Sequence, residues 1–143
     1  MEANPQELVQ AALAAAKRAY APYSRFRVGA ALVAASGRVY TGANIENASY
    51  PCGICAERAA VARAVAEGET RFTAIAVAAL RPGGAIAAGC TPCGLCRQTL
   101  REFAAPGDFK VYVADSASSW RTFTLAELLP ESFGPEKLKP PQA

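Results

Sequence analysis

Apolar positions in this chain alternate between stretches with a period near 3.6 and short runs that are apolar throughout. Val9, Leu13, Ala16 and Tyr20 recur at helical spacing behind Asn4, Pro5 and Glu7. There an asparagine can cap, a proline suits the first turn and a carboxylate follows three residues after the cap. This predicts a helix from Asn4 to Tyr20 packed on a core. Arg27 to Ala34 and Arg38 to Ala43 flank Ala35-Ser36-Gly37 and predict a β-hairpin. Its first arm is apolar on both faces, as a central strand must be. Asn44 to Ile54 collects Asn44, Asn47, Ser49, Pro51 and Gly53, which bend the chain, and predicts a loop.

A second helix is expected from near Cys55 through Ala66, stopped by Gly68, and a buried strand from Phe72 to Leu80. Thr91 can cap a third, short helix with Pro92 in its first turn, which would place Cys93 and Cys96 on one face. Lys110 to Ala114 and Arg121 to Phe123 read as strands. Thr124-Leu125-Ala126-Glu127 is a capping box opening a helix through Leu129. The tail after Pro130 is rich in Pro and Lys and is expected to be disordered beyond Lys137. The order helix, two strands, helix, strand, helix, two strands, helix fits one sheet covered on both faces. Residues 1–143 have the size of one domain, with no linker or internal repeat dividing them.

Composition narrows the chemistry more than the fold. No run approaches the ~20 uninterrupted apolar residues of a membrane span. The start, Met-Glu-Ala-Asn-Pro, lacks a basic segment followed by an apolar block, so a cytoplasmic protein is expected. The net charge of +3 comes from basic residues scattered singly or in pairs, a weak argument for nucleic acid, whose binders concentrate Lys and Arg on one face. The chain has no histidine. That removes Ser-His-Asp and Cys-His triads and any imidazole metal ligand. Its five cysteines fall in two segments, Asn44 to Arg58 and Cys90 to Gln98. In a cytosolic protein such Cys-x-x-Cys spacings point to metal or redox chemistry rather than structural disulfides.

Zinc on thiolates is the leading reading, and the number of ligands decides its role. Four cysteines close a structural site, whereas three leave a position open for chemistry. Cys52 and Cys55 with Cys93 and Cys96 look superficially closed. Glu57, two residues after Cys55 at a helix start, favours the open case, because a structural zinc has no use for a carboxylate there. Cys55, Cys93 and Cys96 are then the ligands, Glu57 the proton carrier, and Cys52 and Cys90 bystanders. Arg58 and two helix N-termini can offset the charge of the thiolates. The closed alternative is a four-cysteine module that binds RNA or protein. The 37 residues between Cys55 and Cys93 speak against it, since compact zinc ribbons use about 15 to 20.

Cys55-Ala56-Glu57 with Pro92-Cys93-x-x-Cys96 resembles the zinc nucleoside deaminases. The likeness extends to Ala21-Pro22-Tyr23-Ser24-x-Phe26-x-Val28-Gly29-Ala30-Ala31-Leu32, to Asn44-Ile45-Glu46-Asn47-Ala48 and to Leu128-Leu129-Pro130-x-x-Phe133. These segments resemble the small homotetrameric cytidine deaminases with three cysteine ligands. The resemblance implies a three-layer α/β/α fold with a mixed five-stranded sheet and one Zn²⁺ per chain. It further implies hydrolysis of cytidine and deoxycytidine to uridine and deoxyuridine, as in pyrimidine salvage. Asn44 and Glu46 match the residues that hold the ribose, and Phe26 the one packing on the pyrimidine. Ala56 belongs to the substrate-binding set. Phe133 matches an aromatic that reaches a neighbouring subunit's site, which implies a homo-oligomer, a tetramer, with shared active sites. A polynucleotide-editing relative would need basic residues interleaved with aromatics, which the sequence lacks.

Overall fold

The computed structural model describes residues 3–139. Helix α1 (Pro5–Ala16) is followed by β1 (Arg27–Ala34), β2 (Val39–Ala43), α2 (Ala56–Ala66), β3 (Phe72–Leu80), α3 (Gly94–Arg101), β4 (Lys110–Ala114), β5 (Trp120–Thr124) and α4 (Leu125–Leu128). The strands form one sheet in the order β2-β1-β3-β4-β5. β3 and β4 run parallel and the other neighbours antiparallel, so the sheet is mixed and five-stranded.

Alternation along the central strands builds two cores. On one face Ala30, Leu32, Ile75, Val77, Val111 and Val113 meet α2 and Leu100 of α3. On the other, Ala31, Val33, Ala74, Ala76 and Ala78 meet Leu8, Val9 and Ala12 of α1. The result is the expected helix/sheet/helix sandwich. Two glycines let the helices lie close. A Cβ on Gly29 would sit 1.9 Å from the carbonyl oxygen of Ala12, and one on Gly42 would sit 2.5 Å from both the oxygen of Ala56 and the nitrogen of Ala60. Only a residue without a side chain fits under α1 or α2 at these points.

Local signals act largely as read. Asn4 caps α1 by accepting from the Gln6 N–H, and Thr124 and Glu127 form the reciprocal capping box. β2 starts at Val39 rather than Arg38, β5 spans Trp120–Thr124 rather than Arg121 to Phe123, and three helix boundaries differ. α1 ends at Ala16 rather than Tyr20. Tyr20 is drawn into extended pairing instead: its N–H donates to Asn44, its carbonyl accepts from Glu46, and the residue is 58% exposed. α3 is capped by Cys93, so Thr91 and Pro92 precede the helix and Thr91 is not its cap. α4 stops at Leu128. Beyond Lys137, Leu138 and Lys139 continue in a turn against the Pro135 carbonyl; the rest of the tail expected to be disordered lies outside the described residues. Among the described residues no helix is long and apolar enough to cross a membrane.

Candidate active site

Topology brings the two cysteine segments to one edge of the sheet. β1 starts where β3 ends, with Arg27 opposite Leu80, and β2 ends beside that start, with Ala43 opposite Gly29. The loop leaving β2 and the loop leaving β3 therefore emerge side by side, each leading into a helix. Cys55 caps α2 and Cys93 caps α3, so both thiols stand at positive helix ends. Cys96 follows one turn into α3 and is fully buried.

The three sulfurs converge. Cys55 Sγ lies 3.9 Å from Cys93 Sγ, which lies 3.6 Å from Cys96 Sγ, and all three fall within 4.8 Å of one another. Tetrahedral zinc at about 2.3 Å from each sulfur would set them about 3.8 Å apart, so the donor set fits the ion. Cys52 is exposed in a short 3₁₀ turn, Tyr50–Cys52, and is not part of this cluster. Cys90 lines the cleft above the cluster as a thiol pushed upward by burial and by the charge of Glu57.

Thiol electrostatics call for a cation. Burial raises the Cys93 thiol, but the N–H groups of Cys96 and Leu95 and the neighbouring sulfurs outweigh it and bring the group below the ordinary range. Cys96 moves strongly the other way, through burial and then the negative charges of Glu57 and Cys55. Three thiolates and a carboxylate cannot all ionise at this spacing unless a positive ion joins them. Arg58 contributes part of that charge: its terminal nitrogen lies 3.9 Å from Cys55 Sγ, a contact that holds the guanidinium firmly protonated. Its Nε is buried without a hydrogen-bond partner.

Glu57 is 4% exposed, the only buried charged residue among those described. Burial raises its carboxyl above the ordinary range, against the opposing pull of its own N–H, the Cys96 thiol and Arg58. A carboxyl so placed gives and takes a proton more readily near neutrality than an exposed one.

Cys55, Glu57 and Cys93, though not the fully buried Cys96, line a cleft of about 700 Å³ together with Asn44, Glu46, Ala56 and Arg58, a volume suited to a small-molecule ligand. At its mouth Tyr23 and Tyr50 stand with ring centroids 6.2 Å apart. Asn44 and Glu46 do more than face the cleft. Asn44 Oδ1 accepts from the Val28 N–H and its Nδ2 donates to the Phe26 carbonyl. Glu46 accepts from the N–H groups of Tyr23 and Ser24 and from the Ser24 hydroxyl, chiefly the last of which holds its carboxyl below the usual range. Both residues thus tie the segment before β1 to the loop after β2. Phe26 is half-buried and is not among the cleft-lining residues, though Asn44 and Ser24 fix its main chain. Phe133 is 57% exposed and away from the cleft of its own chain, with its carbonyl held by Gln98. Sequence reading missed Ser24 as the partner of Glu46 and Arg97 as an anchor of the Cys93 turn. Ser24 meets Glu46 across 22 residues, and Arg97 joins the nearby Thr91 and Pro92 to the distant Leu128.

Three thiols, one buried carboxyl and an open cleft on an α/β/α sheet define a zinc-dependent hydrolytic enzyme. A family model described as the cytidine and deoxycytidylate deaminase zinc-binding region matches residues 2–113, and the chain belongs to that family. A cytidine deaminase of Halalkalibacterium halodurans is 45% identical over 135 residues, covering 93% of this chain and 96% of that protein. The crystal structure of a cytidine deaminase from Burkholderia pseudomallei superposes with a TM-score of 0.81 at 41% identity, covering 92% of this chain and 100% of the other. That of a cytidine deaminase from Mycobacterium tuberculosis gives 0.76 at 38% identity, covering 93% and 99%. The Cys55, Cys93 and Cys96 cluster fits one zinc per chain.

Proposed function

We propose that this chain hydrolyses the 4-amino group of cytidine and deoxycytidine, giving uridine or deoxyuridine and ammonia. The observation that carries the reading is the buried carboxyl of Glu57 beside three converging thiols, two of which line a nucleoside-sized cleft. Zinc held by Cys55, Cys93 and Cys96 supplies Lewis acidity and makes a water nucleophilic near neutral pH. Glu57 takes a proton from the attacking water, passes it to N3 of the pyrimidine, and returns one to the departing amine at C4. Its raised pKa suits both halves of that cycle. Arg58 offsets the negative charge of the three thiolates, which would otherwise weaken the metal as an acid.

Asn44 and Glu46 hold the ribose hydroxyls with the hydrogen-bonding capacity left after their main-chain contacts. Polar groups built for a ribose reject analogues without one, because they would be left buried and unpaired. Phe26 packs beside the base and Ala56 offers its main chain at the start of α2. Phe133, exposed and away from its own cleft, completes the site of a neighbouring copy, so the working unit is a homotetramer of single-domain chains in the cytoplasm. Incubating the purified protein with cytidine tests the assignment. Uridine and ammonia should appear in equal amounts and stop appearing when a chelator strips the zinc. No uridine from zinc-loaded protein would refute it.

A further inference from the structure

α3 carries two of the three clustered thiols at its start, and side chains further along the same helix grip the C-terminal segment. Arg97 joins the two. Its main-chain N–H donates to the Cys93 carbonyl, one turn back. Its guanidinium spreads three ways: Nε donates to the Pro92 carbonyl at 2.6 Å, one terminal nitrogen to Thr91 Oγ1 at 3.2 Å, and the other to the Leu128 carbonyl at 2.6 Å. The first two acceptors belong to the turn that delivers Cys93. The third is the last carbonyl of α4, which has no onward partner in that helix.

The turn depends on this outside donor. Pro92 is fully buried and has no N–H of its own, so the turn lacks one of the bonds an ordinary segment would use to fix itself. Further along α3, Gln98 Nε2 donates to the Phe133 carbonyl at 2.9 Å, and Arg101 holds Ser132 at 2.8 Å and Glu136 at 2.5 Å.

We infer that Arg97 is a positioning residue that fastens the Cys93 turn to the end of α4, so that the zinc site and the Phe133 segment are set by one common anchor. Planarity is what the role requires. A guanidinium presents donors in a fixed fork that can span three acceptors, whereas a lysine ammonium keeps the charge but is a compact point donor. The inference rests on the assignment of zinc to Cys55, Cys93 and Cys96.

The test uses the zinc-loaded full chain and two readouts: the rate of zinc release to a chromogenic chelator, and amide exchange in peptides covering 91–96 and 128–133. Wild type is measured first. Arg97→Lys and Arg97→Met should both release zinc about tenfold faster or more, in the range seen when groups supporting metal ligands are lost, and both peptides should exchange faster together. Arg101→Met serves as the comparison, since it loosens 132–136 without touching the turn. It should leave zinc release at the wild-type rate. A merely structural arginine would make the Arg97 and Arg101 variants alike in zinc release. Wild-type zinc release in Arg97→Lys, or faster exchange in one peptide only, overturns the inference while leaving the metal assignment intact. Wild type that holds no zinc overturns the assignment and the inference with it. If neither Arg97 variant folds, Thr91→Val decides, because it removes one of the three contacts and keeps the guanidinium. Faster release there upholds the anchor, and an unchanged rate rejects it.

Discussion

Gly42 couples the sheet to the candidate active site, and its replacement by alanine should injure both in a measurable ratio. The added Cβ would lie 2.5 Å from the Ala56 oxygen and the Ala60 nitrogen, where ordinary contacts begin near 3.4 Å. Both are main-chain atoms of α2 and cannot rotate away. α2 must therefore retreat from the sheet by about 1 Å, an overpacking error that costs about 1–3 kcal/mol. Each kcal/mol lowers the melting temperature of a chain this size by about 2–4 °C. The functional damage should be larger, because the retreating helix is capped by Cys55 and begins with Ala56, Glu57 and Arg58. A displacement of about 1 Å at reacting groups can cost 10²-fold in rate. The assay compares melting temperature, zinc content and kcat/KM for cytidine in Gly42→Ala. Gly29→Ala is the control: it clashes harder, against α1, but α1 contributes no residue to the cleft. If it folds, it should lose stability while keeping kcat/KM per folded molecule within a few-fold of wild type. A Gly42→Ala protein with wild-type melting and wild-type turnover would refute the reasoning.

Cys52→Ala should retain one zinc and its activity, whereas Cys55→Ala should lose both; metal analysis of the two proteins separates an open site from a four-cysteine one. Glu46 has its carboxyl held below the ordinary range, mainly by Ser24. Its tie to residues 23–24 is therefore fully present above the unfolded glutamate value of about 4.3 and is lost as pH falls through the lower folded value. Amide exchange across 21–26 should rise only on that acid side, but already at neutral pH in Glu46→Gln; a rise in wild type near neutrality would contradict this. Mixing Glu57→Gln with Phe133→Ala under subunit exchange should give activity above the sum of the two parents, and no rise despite proven exchange would discard the shared site.

What the sequence revealed depended on how local each determinant is. Phe72 to Leu80 was legible as a buried strand because nine residues in a row carry the signal, and the capping box at Thr124 because both of its partners lie within three residues. The Cys-x-x-Cys spacings and Glu57 were legible for the same reason. The end of α1 was not, because Tyr20 keeps the helical period yet is pulled into pairing with residues 44–46. Thr91 was misassigned as a cap because its hydroxyl accepts from Arg97, a contact the local pattern does not encode. Asn44 and Glu46 read as binding residues by resemblance, and the folded chain reveals that they hold the main chain of residues 23–28.

Glu57→Gln tests the central claim most directly, because it keeps the shape of the side chain and removes its capacity to carry a proton and its charge. The variant should be purified beside wild type, its zinc content measured, and its conversion of cytidine to uridine followed at neutral pH. One zinc per chain, an unchanged fold and a turnover lower by about 10³-fold or more are predicted, in line with the loss of a general acid-base group together with its charge in the transition state. Full zinc content with turnover within tenfold of wild type would contradict the account.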